Sequence, residues 1–322
     1  MKSKRFKTAL LLILLGAWLA VAGYGYTQTR PTTSKEALTR VVIGFQKGDI
    51  VDISRQHQVL AQKMKAAGYQ VVFKEFQDGA ALMTALKSGN INYARLGDAP
   101  PVVNQATGLD LIYIGAGAAK EEGTGILVKK DSGIDTLAAL KGKRIAYAKG
   151  TTAQYTIIQA LAKAGLSLND VKLVNMDQSA SSVAFAKGSV DAWVTWDPFT
   201  ATAQINQNAK LLTNAKGLAK DRDFVVSSRR YATKHRAISK ALLKYMSQDM
   251  AWARTHPKQV ISMQSKMLKL SKKIMRLTVE RRTFAMTPVT TSIVKEQQQI
   301  ADVFYEQGLI KKRIQVKDAL LN

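Results

Sequence analysis

"KRIAYAKGTTAQYTIIQALAKAG", residues 143 to 165, decides the fold. Arg144-Ile145-Ala146-Tyr147-Ala148 is a short apolar run of the kind that fills a buried strand. Lys149-Gly150 turns the chain, and Thr151-Thr152 stand where a helix begins. Tyr155, Ile158, Leu161 and Ala162 then recur at helical spacing, and Gly165 stops the helix. Strand, glycine turn, hydroxyl pair and helix together aim backbone N–H groups at a negative charge.

The same grammar runs outward in both directions. Upstream, strands are expected at "RVVIGF" (40–45), "YQVVFKEF" (69–76), "INYARLG" (91–97), "LDLIYIGAGA" (109–118) and "TGILVKK" (124–130). Helices are expected over Ile50 to Ala67, Ala80 to Ser88 and from Asp98 to Ala106. Downstream, "TLAALKG" (136–142) reads as a helix, and "VKLVNM", "VDAWVTW", "AKLLTN" and "RDFVVSSRR" read as strands. Helices are expected over "SASSVAFAKG" and from Phe199 to Gln207. Beyond Lys234 the pattern is helical to the end, with interruptions near His256-Pro257 and Thr287-Pro288. Strands alternating with helices predict α/β architecture, and the grammar occurs twice. Two α/β lobes follow, with ligands expected just past the strand ends.

The N-terminus reads as a processing segment. Lys2, Lys4, Arg5 and Lys7 precede the apolar run Ala9 to Ala22, which is short for a membrane span. Ala20-Val21-Ala22 fits a small-x-small cleavage site, so residues 1–22 are expected to be a signal peptide and 23–38 a polar linker. The chain of 322 residues has no cysteine, which excludes disulfides, thiolate metal sites and a cysteine nucleophile. Its three histidines, His57, His235 and His256, are scattered, so no metal and no cofactor is expected. The net charge is +25, much of it after Lys210, as in "KMLKLSKKIMRLTVERR" (266–282). Apolar residues interleave those charges at helical spacing, so the stretch reads as a solvated helix face. Attraction to an anionic membrane surface or to anionic solutes is the alternative, and no nucleic-acid partner is expected.

The candidate site lies in four loops: Gln46-Lys47-Gly48, Gly97-Asp98-Ala99, Gly150-Thr151-Thr152 and Trp196-Asp197-Pro198. Asp98 and Asp197, each near a proline at a helix start, are suited to capping, as is Thr151 or Thr152. Together the loops offer hydroxyls, an amide, helix-start N–H groups and an aromatic wall of Trp196 and Phe199. That set suits a small anion with a polar oxyanion head and an organic tail. Catalysis is disfavoured. No histidine falls in these loops, neither GxxxxGK[ST] nor GxGxxG occurs, and Asp98 with Asp197 is the one carboxylate pair available for acid–base work.

"IGFQKG" (43–48), "GDAPPVVNQATGLDLIYIGA" (97–116), "LAALKGKRIAYAKGTTAQYTIIQALAKAGLSLNDV" (137–171), "GSVDAWVTWDPFTA" (188–201), "ERRTFAMTPV" (280–289) and "EQQQIADVFYEQGLI" (296–310) carry a resemblance to the periplasmic aliphatic sulfonate-binding proteins of ABC transporters. The resemblance implies a type II periplasmic binding protein fold, two α/β lobes joined by a two-crossing hinge. Lobe 1 would hold residues 39–128 and 225–322, and lobe 2 residues 129–224. It implies a monomeric, non-enzymatic periplasmic receptor that closes over a sulfonate and delivers it to a membrane permease. Taurine, nitrate or a thiamine-precursor pyrimidine are alternative ligands. Residue by residue it implies a ligand site of Gln46, Gly97, Asp98, Ala99, Thr151, Thr152, Trp196, Asp197 and Arg282. The guanidinium of Arg281 or Arg282 either reaches the anion or faces solvent. Asp49 and Asp52 depart from the family pattern and place carboxylates where an anion would be disfavoured.

Overall fold

Alternate residues of the first strand point into two different cores. In β1 (Thr39–Phe45), Val41, Ile43 and Phe45 face one apolar cluster and Val42 faces another. A strand buried on both faces needs a layer of helices on each side. The computed structural model describes residues 18, 38–76 and 79–321, and the expected signal peptide and linker fall almost entirely outside them. The chain divides into two units, Met1–Thr39 and Arg40–Asn322, and the second carries both sheets.

The first sheet has the order β11-β4-β10-β3-β1-β2. Its strands are β1, β2 (Tyr69–Glu75), β3 (Tyr93–Leu96), β4 (Leu111–Gly117), β10 (Phe224–Ser228) and β11 (Met286–Thr287). β1 and β3 are parallel, while β10 lies antiparallel between β3 and β4. The second sheet has the order β7-β6-β8-β5-β9. It holds β5 (Gly125–Lys129), β6 (Arg144–Tyr147), β7 (Lys172–Asn175), β8 (Ala192–Thr195) and β9 (Ala209–Asn214). The chain changes sheet twice, between Gly117 and Gly125 and between Asn214 and Phe224.

Twelve α-helices pack around the sheets among the described residues. They are α1 (Ile50–His57), α2 (Val59–Ala66), α3 (Gly79–Lys87), α4 (Ala99–Ala106), α5 (Thr152–Lys163), α6 (Gln178–Ala186), α7 (Phe199–Asn206), α8 (Arg229–Lys234), α9 (Arg236–Thr255), α10 (Pro257–Leu268), α11 (Lys272–Glu280) and α12 (Thr291–Glu306). α9, α10 and α11 cover the Val41–Ile43–Phe45 side of the first sheet, and α3, α4 and α12 cover the Val42 side.

Four local expectations change. The helix expected over 50–67 breaks at Gln58, which is left-handed at φ 63°. Tertiary contacts impose the break. His57 stacks on Trp252 at 3.8 Å and bonds to Asp249 at 2.9 Å, anchoring the end of α1 to α9. The stretch expected as a helix at 136–142 forms only a 3₁₀ turn, Ala138–Leu140. Met286–Thr287, read as a break between helices, joins the first sheet. The strand expected to close the first part of lobe 1 at residue 128 is β5, which pairs with β8 and β9 and so belongs to the second sheet. Gly125 permits that pairing: a Cβ there would lie 2.2 Å from the Thr213 carbonyl oxygen.

Candidate functional site

Two helix starts, one from each sheet, meet face to face. α4 follows β3 of the first sheet, and α5 follows β6 of the second. Gly150, at φ 71°, makes the turn into α5. Thr151 caps that helix: its Oγ1 accepts from the Ala153 N–H at 3.2 Å and donates to the Ala148 carbonyl at 2.7 Å. Thr152, the next residue, is buried and points the other way. Its Oγ1 donates to Asp98 Oδ1 at 2.5 Å, a hydrogen bond that bridges the two halves of the chain.

Asp98 is 1% exposed, and its side chain makes no capping bond to α4, contrary to the capping role expected of it. Its carbonyl accepts from Gln297 Nε2 at 2.8 Å, and its Oδ2 has no hydrogen-bond partner. Pro100 and Pro101 remove two N–H groups from the first turn of α4, leaving Ala99 to supply one. Gly97 lies close against Thr152: a Cβ there would be 3.5 Å from Oγ1.

A buried charge network lies alongside. Asp223 is its hub: Arg95, Lys120 Nζ (2.8 Å) and Arg282 Nη2 (3.2 Å) all donate to its carboxylate. Asp221 accepts from Thr124 Oγ1 at 2.5 Å, with Thr152 Oγ1 at 3.4 Å and Lys120 Nζ at 3.5 Å on its other oxygen. Arg95 also reaches toward Asp49, at 3.8 Å. Burial raises Asp98, and the negative charge of Asp221 adds to the rise; the carboxyl titrates near about 7. Burial likewise raises Asp49 to about 6, against the opposing pull of Arg95. Burial would raise Asp223 too, but Arg95, Lys120 and Arg282 outweigh it and hold that carboxyl well below the usual range.

Asp49 and Asp52, expected to repel an anion at the cleft mouth, are instead buried and engaged. Asp49 accepts from the Gln46 and Asp52 N–H groups, at 2.9 and 2.8 Å. Asp52 accepts from Gly48 N–H at 2.8 Å and from both Nε and Nη2 of Arg55. The backbone N–H of Gln46 is thus already bonded inside its own loop.

In the fourth loop Pro198 is the N-cap of α7, so Asp197 stands one residue before the cap position expected of it, yet it still bonds into the first turn. Its Oδ1 accepts from the Ala201 N–H at 2.9 Å, with Arg281 Nη1 at 3.5 Å. Burial raises this carboxyl to about 6, with Arg281 opposing. Its peptide bond to Pro198 is cis. Arg281 and Arg282, which were expected either to reach an anion or to face solvent, both turn inward onto carboxylates, and Arg282 stacks over Phe284 at 4.7 Å. Trp196 is half-buried against the core of the second sheet. Phe199 does not form a wall with it: its ring meets Trp193 in a separate cluster, at 6.0 Å.

A crevice of about 190 Å³ opens beside the facing helix starts. Asp98, Glu121, Tyr155, Arg222, Glu296 and Gln297 are among its walls, so of the predicted site residues it is Asp98 that borders it. Arg95, Lys120, Thr124, Asp221 and Asp223 were missed by sequence reading. The available signal was charge inside apolar patterns: an arginine in the strand "YARL", and Asp221-Arg222-Asp223 immediately before "FVVSS". Among the described residues no cluster of three or more His, Asp or Glu side chains is arranged to hold a metal ion.

Two mixed sheets, a double crossover and helix starts opposed across it define a two-lobed binding-protein fold of the type II class. The chain belongs to the NMT1/THI5-like family, whose model matches residues 63–260. It is 30% identical over 304 residues to an Escherichia coli (strain K12) protein named for binding aliphatic sulfonates, covering 94% of this chain and 95% of that one. The solved structure of the alkanesulfonate-binding protein SsuA from Xanthomonas axonopodis pv. citri, bound to MOPS, superposes with a TM-score of 0.82 at 33% identity, over 88% of this chain and 98% of that one. A taurine-binding periplasmic protein of Escherichia coli (strain K12) is 28% identical over 186 residues, 56% of each chain. These relatives are binding proteins.

Proposed function

We propose that this protein is a periplasmic, non-catalytic receptor that takes an alkanesulfonate or similar small organic anion between its lobes and delivers it to the permease of an ABC importer. In this reading residues 1–22 direct export, residues 39–124 with 224–322 make one lobe, 125–214 make the other, and the mature protein acts as a monomer. The observation that carries it is the Asp98–Thr152 contact, in which helix starts from the two sheets meet across the crossover. Whole-length similarity to sulfonate-binding proteins supports it.

A sulfonate is ionised at all physiological pH values and needs donors, not a base. The nearby cations Arg95, Lys120, Arg281 and Arg282 are each held by carboxylates, so the head group is left to neutral donors. Gln46, Gly97, Ala99 and the backbone N–H groups of Thr151 and Thr152 at the start of α5 supply these, Trp196 meets the organic tail, and Asp98, Asp197 and Arg282 set the surrounding charge. Ligand contacts with both lobes then favour the closed form. Asp98 and Asp197 have separate partners, Thr152 for one and Ala201 with Arg281 for the other, which supports binding over acid–base catalysis.

One observation favours a second reading, an aminosulfonate such as taurine. Asp98 and Asp197 each keep a buried carboxylate oxygen without a partner, which suits an ammonium group. Thermal shift and calorimetry with C2–C6 alkanesulfonates, taurine, nitrate and pyrimidines separate the readings, because a tight ligand raises Tm. Alkanesulfonates are expected to raise it most. A rise with pyrimidines or nitrate alone, or turnover of a bound sulfonate, would overturn the proposal.

A further inference from the structure

Half of the net charge sits in one stretch of the chain, most of it on a face that the site does not use. Residues 229–282 contain 15 Lys and Arg against two acids, Asp249 and Glu280, giving +13 of the chain's +25. Asp249 is buried and bonded to His57. Besides Arg236, eleven of the cations are exposed: Arg230, Lys234, Lys240, Lys244, Arg254 and Lys258 on α8 to α10, and Lys266, Lys269, Lys272, Lys273 and Arg276 further along. Among the described residues none of the eleven forms an ion pair. Around the second sheet charge is more mixed: Lys141, Arg144, Lys216 and Lys220, which are exposed, and the half-buried Lys210 each pair with a carboxylate, while Lys130, Lys149, Lys163, Lys172 and Lys187 are exposed without an ion pair.

These charges share one outer surface. α9 buries Ile238, Leu242, Met246 and Met250, α10 buries Val260 and Ile261, and α11 buries Met275 and Val279, all in a single cluster against the first sheet. Their opposite faces therefore look outward on the same side. At about 100° per residue, the exposed cations of each helix fall within an arc of about 100°.

The arrangement works against the stability of the isolated protein. Lys240 and Lys244 are like charges at i and i+4, a destabilising spacing. Lys258, Lys272 and Lys273 lie in the first turns of α10 and α11, where the helix macrodipole disfavours cations. A polyanionic partner reverses both penalties. The face carries no exposed large apolar or aromatic side chain, so it offers neither a stacking platform for bases nor a group to insert into lipid. Eight of the eleven cations are lysines, hydrated point charges suited to diffuse attraction and not to bidentate recognition.

We propose that the outer face of α8–α11 adsorbs the protein to an anionic phospholipid bilayer, with the head groups held by lysine and arginine charge alone. A receptor held at the surface would search for its permease in two dimensions.

The test is co-sedimentation of the full chain with vesicles of phosphatidylcholine containing about a third phosphatidylglycerol, referred to pure phosphatidylcholine so that contributions from the apolar N-terminal residues cancel. Each basic contact strengthens partitioning about fivefold at low ionic strength, and screening removes most of it near 1 M salt. The Lys240→Gln/Lys258→Gln/Lys266→Gln variant is expected to lose at least tenfold in phosphatidylglycerol-dependent binding. The charge-matched control Lys163→Gln/Lys172→Gln/Lys187→Gln, with exposed lysines on the second lobe, is expected to lose less than threefold. Neither variant should melt below the parent, since all six side chains are exposed. Equal losses in the two variants, or no dependence on phosphatidylglycerol, would refute the proposal. So would a single-stranded oligonucleotide that binds more tightly than vesicles and is lost in the first variant alone.

Discussion

Replacing Asp98 by Asn should change how stability depends on pH. Asp98 is 1% exposed and titrates near about 7 in the fold, against an ordinary 3.8. A carboxyl raised by folding binds its proton more tightly in the native state. Stability therefore falls as pH rises from the unfolded value through the folded one. At about 1.36 kcal/mol per tenfold change, the cost grows from roughly 1–2 kcal/mol at pH 5 to roughly 4 kcal/mol at pH 8. Asparagine mimics the protonated acid: its Oδ1 still accepts from Thr152, and its amide replaces the unpartnered Oδ2. Urea denaturation of both proteins at pH 5 and pH 8 should then show the variant gaining about 2–3 kcal/mol on the parent between the two pH values. Curves that stay parallel within about 0.5 kcal/mol would show that Asp98 is ionised throughout, and the account of the buried network would fail.

Asp223→Asn removes the buried hub of three half-buried cations and should destabilise by about 3–5 kcal/mol in urea melts at pH 7; a loss under about 1 kcal/mol would mean the network does not hold the crossover. Gly125→Ala should cost about 2–3 kcal/mol or more, since the new methyl would meet the Thr213 carbonyl at 2.2 Å, and a neutral effect in thermal melts would contradict the close pairing of β5 with β9. Thr152→Val keeps the shape at the helix start but loses the hydroxyl that bonds Asp98 across the two lobes, and calorimetry should show alkanesulfonate affinity lowered about tenfold. Unchanged affinity would remove Thr152 from the site.

The α/β alternation was legible because strands buried on both faces read as short apolar runs and the helices close at glycines, as at Gly89 and Gly165. The break at Gln58 was not, because neither glycine nor proline marks it and its cause, the anchoring of His57 on Trp252 and Asp249, is separated by almost 200 residues. β5 carries no mark of the sheet it joins, since partner choice is a property of pairing and not of a strand's own pattern. The loops at Asp98 and Thr152 were legible from turn and cap chemistry. The network on Asp223 was not: Arg95 sits inside a strand, Lys120 in a loop and Arg282 just past α11, and only the closed topology brings them to one carboxylate.

β10 occupies the middle of the first sheet, between β3 and β4, yet lies more than a hundred residues further along the chain than either. A polypeptide emerging from its N-terminus therefore makes β1 to β4 long before that sheet has its central member. All five strands of the other sheet come from the uninterrupted stretch 125–214 and need nothing outside it. The later half of the molecule is thus positioned to assemble first, and the earlier half must wait with two unpaired strand edges until residue 228 arrives. A nascent chain truncated before Phe224 would carry those edges as an aggregation hazard, and the moment of danger during biogenesis ends with one five-residue insertion.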